Sequence, residues 1–209
     1  IAKGRPANHP LIVHIGDLAQ LSSWARDIPA QALLLAKAFW PGPLTLLLAK
    51  ADNVSPVVTG GKDSIGIRMP AHPVLLALLQ QTGLAVAAPS ANPYKKLSPT
   101  SALQVMAGLD GRIAAVLDGG DCSVGLESTI VDLTSAQPQV LRAGPISAAE
   151  LETVLGVPVS APKSHNVAVP GNVKAHYQPG KPLKIFNKAE LLSALQQSTD
   201  AVICLYQSA

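Results

Sequence analysis

The chain is poor in aromatic residues and in charge. Of its 209 residues only 3% are aromatic and 14% are charged, whereas 48% are hydrophobic. Ala, Val, Leu and Ile supply most of the apolar content, which favours helices packed on a buried sheet over an aromatic-rich β-sandwich. This composition excludes a disordered chain and predicts a globular protein with a sizeable core.

Cysteine and long apolar runs are also scarce. Cys122 and Cys204 stand far apart, outside any Cys-x-x-Cys pattern. This argues against a disulfide framework, and without paired histidines at ligand spacing no metal site is predicted. Two isolated thiols fit a reducing compartment, so the predicted location is cytoplasmic. No apolar run reaches the roughly 18–20 residues of a membrane span, so no membrane partner is predicted.

Several common catalytic motifs are missing too. The sequence has no P-loop, no Rossmann glycine fingerprint, no nucleophile elbow and no HExxH helix. A nucleotide would therefore be held by scattered Arg, Lys, Ser and Asn side chains. A net charge of +3 does not by itself argue for nucleic-acid binding. The chain starts at Ile1 and enters a charged turn at once, so we expect further residues upstream.

Hydrophobic periodicity predicts strands alternating with helices. Strands are expected over residues 10–15, 44–48, 64–68, 84–88, 113–117, 128–133 and 139–142. Helices are expected over 18–26 with Asp17 as the cap, and over 30–39, 73–81, 100–107 and 147–155. Interleaved strands and helices indicate an α/β fold with a mixed, mostly buried sheet.

The composition changes after residue 156. Residues 157–182 are rich in Pro, Gly, Ser and Lys and lose both periodicities, which is typical of a linker. Residues 183–209 then show a short β-α-β pattern that could not bury a core alone. The predicted organisation is one domain over 1–156, a linker over 157–182 and the start of a second α/β domain over 183–209.

Positive charge is concentrated between Lys3 and His14. Lys3 and Arg5 lie one residue apart in a turn restricted by Pro6, and His9 and His14 follow around a short apolar strand. Arg offers a planar fork and Lys a compact point charge, a pair suited to polyphosphate recognition. An exposed basic turn would contain the same residues, so the segment alone leaves both interpretations open.

Other polar residues stand at the ends of predicted elements. Arg68 ends a strand, and its charge needs a partner, either a substrate carboxylate or a structural Asp or Glu. Ser90 and Asn92 follow an apolar strand, and Ser98 precedes a helix. These are places where α/β folds bind anionic ligands, although an ordinary loop and helix cap would use the same residue types.

Taken in order, a set of short motifs resembles the YrdC-like threonylcarbamoyl-adenylate synthases over about residues 1–155. The motifs are Lys3-Gly4-Arg5-Pro6 with His14, residues 39–45 (FWPGPLT), Arg68-Met69-Pro70, residues 88–92 (APSAN), Ser98-Pro99-Thr100, Ser128-Thr129 and Arg142-Ala143-Gly144. Pro170-Gly171 and residues 176–179 (HYQP) resemble the linker of the longer members, which carry a Rossmann-like domain after it.

The resemblance implies a YrdC-like twisted mixed sheet flanked by helices around a concave ligand cavity, followed by a Rossmann-like domain. It also implies a nucleotidyltransferase that condenses L-threonine, bicarbonate and ATP, with Mg²⁺ accompanying ATP, to threonylcarbamoyl-adenylate and pyrophosphate. That product feeds the threonylcarbamoyladenosine modification of transfer RNA. The implied partners are therefore downstream threonylcarbamoyl-transferase proteins and RNA.

The resemblance assigns site residues as well. Those implied for ATP are Lys3, Arg5, His9, Ser64, Ser90, Asn92, Ser98, Arg142 and Tyr177. Those implied for L-threonine are His14, Arg68, Ala88 and Ser128. No metal ligand is implied, because Mg²⁺ bound through ATP phosphates keeps several waters and needs no protein cage.

The chain departs from the family pattern in three places. Most of the second domain is absent from the sequence, and so is the Thr-rich motif that precedes the Lys-Gly-Arg-Pro turn and helps hold the amino acid. His9 precedes Pro10 where members often carry Asn. The second departure predicts an incomplete amino-acid site in this chain.

Two other functions are consistent with parts of the sequence. A non-catalytic RNA-binding module would use the basic residues Lys3, Arg5, Arg68, Lys95 and Lys96, but the interleaved aromatics that stack on bases are missing. A carbamoyl-transferring enzyme of the same fold would act on another acceptor.

Overall fold

A computed structural model describes residues 2–162 and, further along, residues 165, 167, 169, 170, 187, 190, 191 and 193. The chain divides into two compact units, residues 1–178 and 179–209. The strands of the first unit are β1 (Ile12–His14), β2 (Leu44–Ala49), β3 (Ser64–Arg68), β4 (Val86–Ala88), β5 (Thr129–Asp132) and β6 (Gln139–Arg142). Its helices are α1 (Leu21–Trp24), α2 (Ala30–Phe39), α3 (Pro56–Thr59), α4 (Pro73–Thr82), α5 (Ala102–Leu109) and α6 (Ala148–Leu155).

The six strands form one mixed sheet in the order β4-β1-β3-β2-β5-β6. β1 pairs with β3 and β2 with β5 in parallel. The pairs β1 with β4, β2 with β3 and β5 with β6 are antiparallel. The predicted α/β fold with a mixed sheet and flanking helices is therefore confirmed.

The two faces of the sheet bury different residues. Val13 and Leu46 belong to the main core, which also contains residues of α1, α2 and α6. Ile12 and Leu47 belong to a smaller apolar cluster. Successive side chains of a strand alternate between faces, so His14 lies on the same face as Ile12. Polar and charged side chains can therefore collect on this face while the other face is sealed by helices.

The first predicted helix begins as expected and ends early. Asp17 caps a 3-10 turn, Leu18–Gln20, that leads into α1. The helix stops at Trp24 because the residues after it pair with the end of β2, where the Arg26 N–H donates to the Ala49 carbonyl at 3.0 Å. Pairing with the sheet thus overrides a helical periodicity that continues for two more residues.

The strand predicted over residues 113–117 is wrong. None of these residues lies in a strand, and Leu117 is 60% exposed. In the part of the chain that the structure describes, none of the six strands pairs with this segment. An extended segment without a partner leaves its N–H and C=O groups unpaired and is not stable alone.

The predicted linker, residues 157–182, is described only in part. Val159 and Val169 are buried, and Ser160 forms a bridge with Gln139 of β6, so the start of this segment packs on the first unit. The predicted second domain over 183–209 lies almost entirely outside the described residues and stays a prediction. Among the described residues, no helix has the length and apolar character needed to cross a membrane.

Candidate active site

A large cavity opens on the face of the sheet that carries Ile12 and His14. Its volume is about 1020 Å³. Of the twelve described residues that the resemblance assigns to ATP or threonine, ten line it. They are Lys3, Arg5, His9, His14, Arg68, Ala88, Ser90, Asn92, Ser128 and Arg142.

The cavity is strongly basic. Within the described residues, seven of the eleven Lys and Arg side chains line it, against two of the twelve acidic ones, Asp121 and Glu127. The other described residues therefore carry a net negative charge, although the whole chain is positive. Such a concentration of one sign favours an anionic ligand.

His14 and Arg68 end neighbouring parallel strands and stand beside each other in register. The Arg68 Nε donates to the Gly42 carbonyl at 2.9 Å, and no described residue pairs with the terminal nitrogens of its guanidinium. Burial lowers the pKa of Arg68. A partly buried guanidinium with free terminal donors is well arranged to bind a carboxylate with two hydrogen bonds.

The environment of His14 keeps its imidazole neutral. Burial, and secondarily the charge of Arg68, lower the pKa of His14 to about 4, against the small opposing effect of backbone contacts with Val86 and Ile12. Nδ1 lies 3.3 Å from the Val86 carbonyl, which can only accept, so Nδ1 carries the proton. Nε2 is then left as an acceptor at the cavity.

Lys3 joins the N-terminal turn to the loop after β4. Its Nζ donates to the carbonyl oxygens of Ser90 and Asn92 and, at 3.3 Å, to Asn92 Oδ1. Burial, and then the neighbouring Arg5, lower the pKa of Lys3 to about 8. All three ammonium protons have protein acceptors, so Lys3 shapes the cavity wall as well as contributing charge.

Arg5 holds the segment that leads into β1. Its two terminal nitrogens donate to the carbonyls of His9 and Pro10 at 2.9 and 2.6 Å. The His9 ring contacts the Tyr94 ring edge-on, with centroids 5.9 Å apart. Burial and the charge of Arg5 lower the pKa of His9, so this part of the wall holds two cations beside an imidazole whose charged form is disfavoured.

Arg142 is bound mainly to protein atoms. Its Nε and one terminal nitrogen donate to the Ser128 carbonyl at 3.0 and 2.8 Å, and that nitrogen also reaches Ser128 Oγ at 3.0 Å. The other terminal nitrogen donates to the Pro170 carbonyl at 3.1 Å. Burial lowers the pKa of Arg142 to about 10, with Glu127 acting against this and Arg68 adding to it. Ser128 in turn bonds the buried Thr45 at 2.8 Å, so this network fixes one side of the cavity.

Three predicted residues do not line the cavity or are not described. Ser64 lies on a separate pocket of about 400 Å³ at the other end of β3 from Arg68. Ser98 donates to Glu127 at 2.7 Å, and it is Glu127 that lines the cavity. Tyr177 lies outside the described residues. The predicted roles of these residues and of the other ten stay predictions.

Glu127 and Tyr94 are two residues of the wall for which the sequence predicted no role in the site. Glu127 balances part of the charge of Arg142 and accepts the bond from Ser98. Tyr94 lines the cavity and contacts His9. A signal for Tyr94 was available, because one of only three tyrosines in the chain stands two residues after the APSAN motif. Glu127 had no comparable signal, since its partners are distant in sequence.

The sheet and its basic cavity define an α/β protein built to hold an anionic ligand. A family profile described as Telomere recombination, which covers the Sua5, YciO and YrdC proteins, matches residues 1–144. The chain belongs to this family, as the sequence resemblance predicted.

Proteins similar to this chain are found in distant organisms. It is 46% identical over 183 residues to a threonylcarbamoyl-AMP synthase of Pyrococcus abyssi, and the matched region covers 85% of this chain and 54% of that protein. It is 46% identical over 190 residues to the threonylcarbamoyl-AMP synthase of Bacillus subtilis, and the matched region covers 88% of this chain and 55% of that protein. The crystal structure of P. abyssi Sua5 complexed with L-threonine matches with a TM-score of 0.81 at 45% identity, over 85% of this chain and 54% of that one. The chain thus spans about half the length of these relatives.

Proposed function

We propose that the protein condenses L-threonine, bicarbonate and ATP to threonylcarbamoyl-AMP and diphosphate, for the threonylcarbamoyladenosine modification of transfer RNA. One observation carries this proposal. Ten residues that are scattered over the sequence from Lys3 to Arg142 line a single basic cavity. The identity of 46% to curated threonylcarbamoyl-AMP synthases supports the same assignment.

Threonine fits the part of the cavity around His14, Arg68 and Ser128. The free guanidinium nitrogens of Arg68 would bind the carboxylate. The Nε2 of neutral His14 would accept a proton from the substrate hydroxyl or nitrogen, because Nδ1–H is directed to Val86. Neutrality matters here, since an imidazolium would repel the ammonium form of the amino acid.

The nucleotide fits the basic wall formed by the N-terminal turn and the loop after β4. We assign its phosphates to the surroundings of Lys3, Arg5, Ser90 and Asn92, all of which line the cavity. Within the described residues no group of three His, Cys, Asp or Glu side chains could hold a metal ion. We therefore infer that Mg²⁺ enters as MgATP, held by the phosphates and by water.

The reaction requires positioning and charge stabilisation more than a covalent nucleophile. The threonine nitrogen attacks the carbon of bicarbonate, with loss of water, to give a carbamate. A carbamate oxygen then attacks the α-phosphorus, and the bond to the leaving diphosphate breaks. Negative charge grows on the phosphate oxygens in that step, and the surrounding cations stabilise it.

Measurement of diphosphate release tests the proposal. The protein should release diphosphate only when threonine, bicarbonate and MgATP are all present, and Arg68→Ala should raise the KM for threonine more than that for ATP. Diphosphate release that does not depend on threonine would refute it. Serine and carbamoyl phosphate, supplied in place of threonine and bicarbonate, test the alternative of carbamoyl transfer to another acceptor.

The product and the location complete the proposal. Threonylcarbamoyl-AMP is a labile mixed anhydride, so a threonylcarbamoyl-transferase protein acting on transfer RNA would consume it, in the cytoplasm. Direct contact of this chain with RNA stays a prediction. RNA affinity that falls with salt and is unchanged by ATP and threonine would favour the binding-module alternative.

A further inference from the structure

Lys95 adopts a backbone conformation that disfavours side chains. Its φ is +69°, and among the described residues only Asp27 is another non-glycine residue with a positive φ. The Lys96 N–H donates to the Pro93 carbonyl at 3.1 Å, which closes a four-residue turn with Lys95 in the third position. A positive φ there is the geometry of a type II turn, which normally takes Gly or Asn. Lysine at this place needs an explanation.

The turn is held on both sides of Lys95. The Tyr94 N–H donates to the Lys3 carbonyl at 2.8 Å, and Asn92 Nδ2 donates to the Lys96 carbonyl at 2.8 Å. Lys3 and Asn92 both belong to the cavity wall. Hydrogen bonds to two residues of the wall therefore hold the turn that contains Lys95.

The ammonium of Lys95 is available to a ligand. Lys95 is exposed and lines the cavity, and its Nζ lies 5.7 Å from the centre of the Tyr94 ring. The ion pairs found among the described residues involve only Arg26. By contrast, Lys3 and Arg5 on the same wall donate to protein carbonyls. Lys95 is thus a cation of this wall whose ammonium has no hydrogen-bond acceptor among the described residues.

We propose that Lys95 binds the diphosphate part of the nucleotide, and that lysine is kept in the strained turn for this purpose. The inference rests on the proposed function, because it takes the ligand of the cavity to be ATP. An ammonium at the cavity interacts most with the most highly charged part of its ligand, which in ATP is the β,γ-diphosphate. The Tyr94 ring keeps the ammonium on the cavity side by a cation–π contact.

Replacement of Lys95 by glycine separates binding from folding. Lys95→Gly removes the ammonium and suits a positive φ, so the thermal unfolding midpoint should rise or stay unchanged. Calorimetric titration should show Kd values for ATP and for inorganic diphosphate about threefold higher, the size typical of an exposed ion pair, with little change for AMP. Lys95→Glu should weaken ATP binding by about tenfold, and both effects should shrink at high salt.

Lys37→Ala is the matched control, because Lys37 is an exposed lysine of α2 away from the cavity. It should leave all three affinities unchanged. If Lys95→Gly binds ATP and diphosphate as tightly as the wild type, the role of Lys95 is refuted while the proposed function stands. An equal loss for AMP would refute the assignment to the diphosphate part. Failure of the proposed function is seen separately, as diphosphate release by the wild type that does not require threonine.

Discussion

His14 should make the protein less stable at mildly acidic pH. Its pKa is lowered from 6.5 to about 4 in the folded protein, first by burial and then by Arg68. Between these two values the unfolded chain binds a proton that the folded protein does not, so stability falls as the pH falls from 6.5 to 4. Above pH 6.5 this group contributes no pH dependence.

The magnitude follows from the two pKa values. Each unit corresponds to about 1.4 kcal/mol, so the loss attributable to His14 is about 2 kcal/mol at pH 5 and approaches about 3 kcal/mol at pH 4. The facing groups are the Arg68 guanidinium on β3 and the Val86 carbonyl on β4. Neither changes its charge in this range.

Urea unfolding of the wild type and of His14→Gln at pH 8 and pH 5 measures the effect. Glutamine keeps a donor and an acceptor but does not titrate. The difference in unfolding free energy between the two proteins should shift by about 2 kcal/mol in favour of the variant at pH 5. His72→Gln, which removes an exposed imidazole, shows whether loss of any histidine gives the same result. An unchanged difference between pH 8 and pH 5 would refute the description of His14 as a partly buried, neutral imidazole.

Substitutions at three further positions test the framework of the site. Gly144→Ala should lower the free energy of unfolding by about 3 kcal/mol or more, or prevent folding, because the added Cβ would lie 2.4 Å from the Thr129 backbone nitrogen. A thermal melt followed by circular dichroism that matches the wild type would contradict this. Ser128→Ala should lower the unfolding free energy in denaturant by about 2 kcal/mol, since it leaves the buried Thr45 hydroxyl without its 2.8 Å partner. A loss below about 0.5 kcal/mol would show that the Thr45 hydroxyl finds another hydrogen-bond partner. Asp17→Ala should lower the free energy of unfolding by about 1 kcal/mol, because it removes the helix cap in which Asp17 Oδ1 accepts from the Ala19 N–H at 2.7 Å. Asp17→Asn should keep most of that stability.

Elements with a clear local pattern were predictable from the sequence. The strand over 64–68 and the helix over 30–39 have the predicted bounds. A short apolar run between polar ends, and burial of every third and fourth residue, are both local properties. The helix α3 was missed since it is a single turn, although Ser55-Pro56 is a typical helix start. The strand prediction for residues 113–117 was wrong for a different reason. A strand forms only beside a partner strand, and the local sequence pattern does not show whether one is present.

The residues of the site were predictable from the sequence, but the hydrogen bonds between them were not. Short motifs gave the residues, but not the bonds that join Lys3 to Asn92 or Ser98 to Glu127, which span 89 and 29 positions. Pairings at such separations depend on the course of the whole chain. The sequence therefore indicates which side chains belong to the cavity. Which of them are free to contact a ligand, and which are bonded to the wall, is seen only in the folded structure.

The uneven distribution of charge has a kinetic consequence. A cavity with seven cations and two carboxylates in the described structure, on a chain with a net charge of +3, attracts nucleotide from a distance and speeds encounter. In the proposed reaction the same field retains the highly charged diphosphate after chemistry is complete. Moderate salt should then slow capture of ATP yet hasten product departure, so turnover at saturating ATP would rise with ionic strength where release is the slow step.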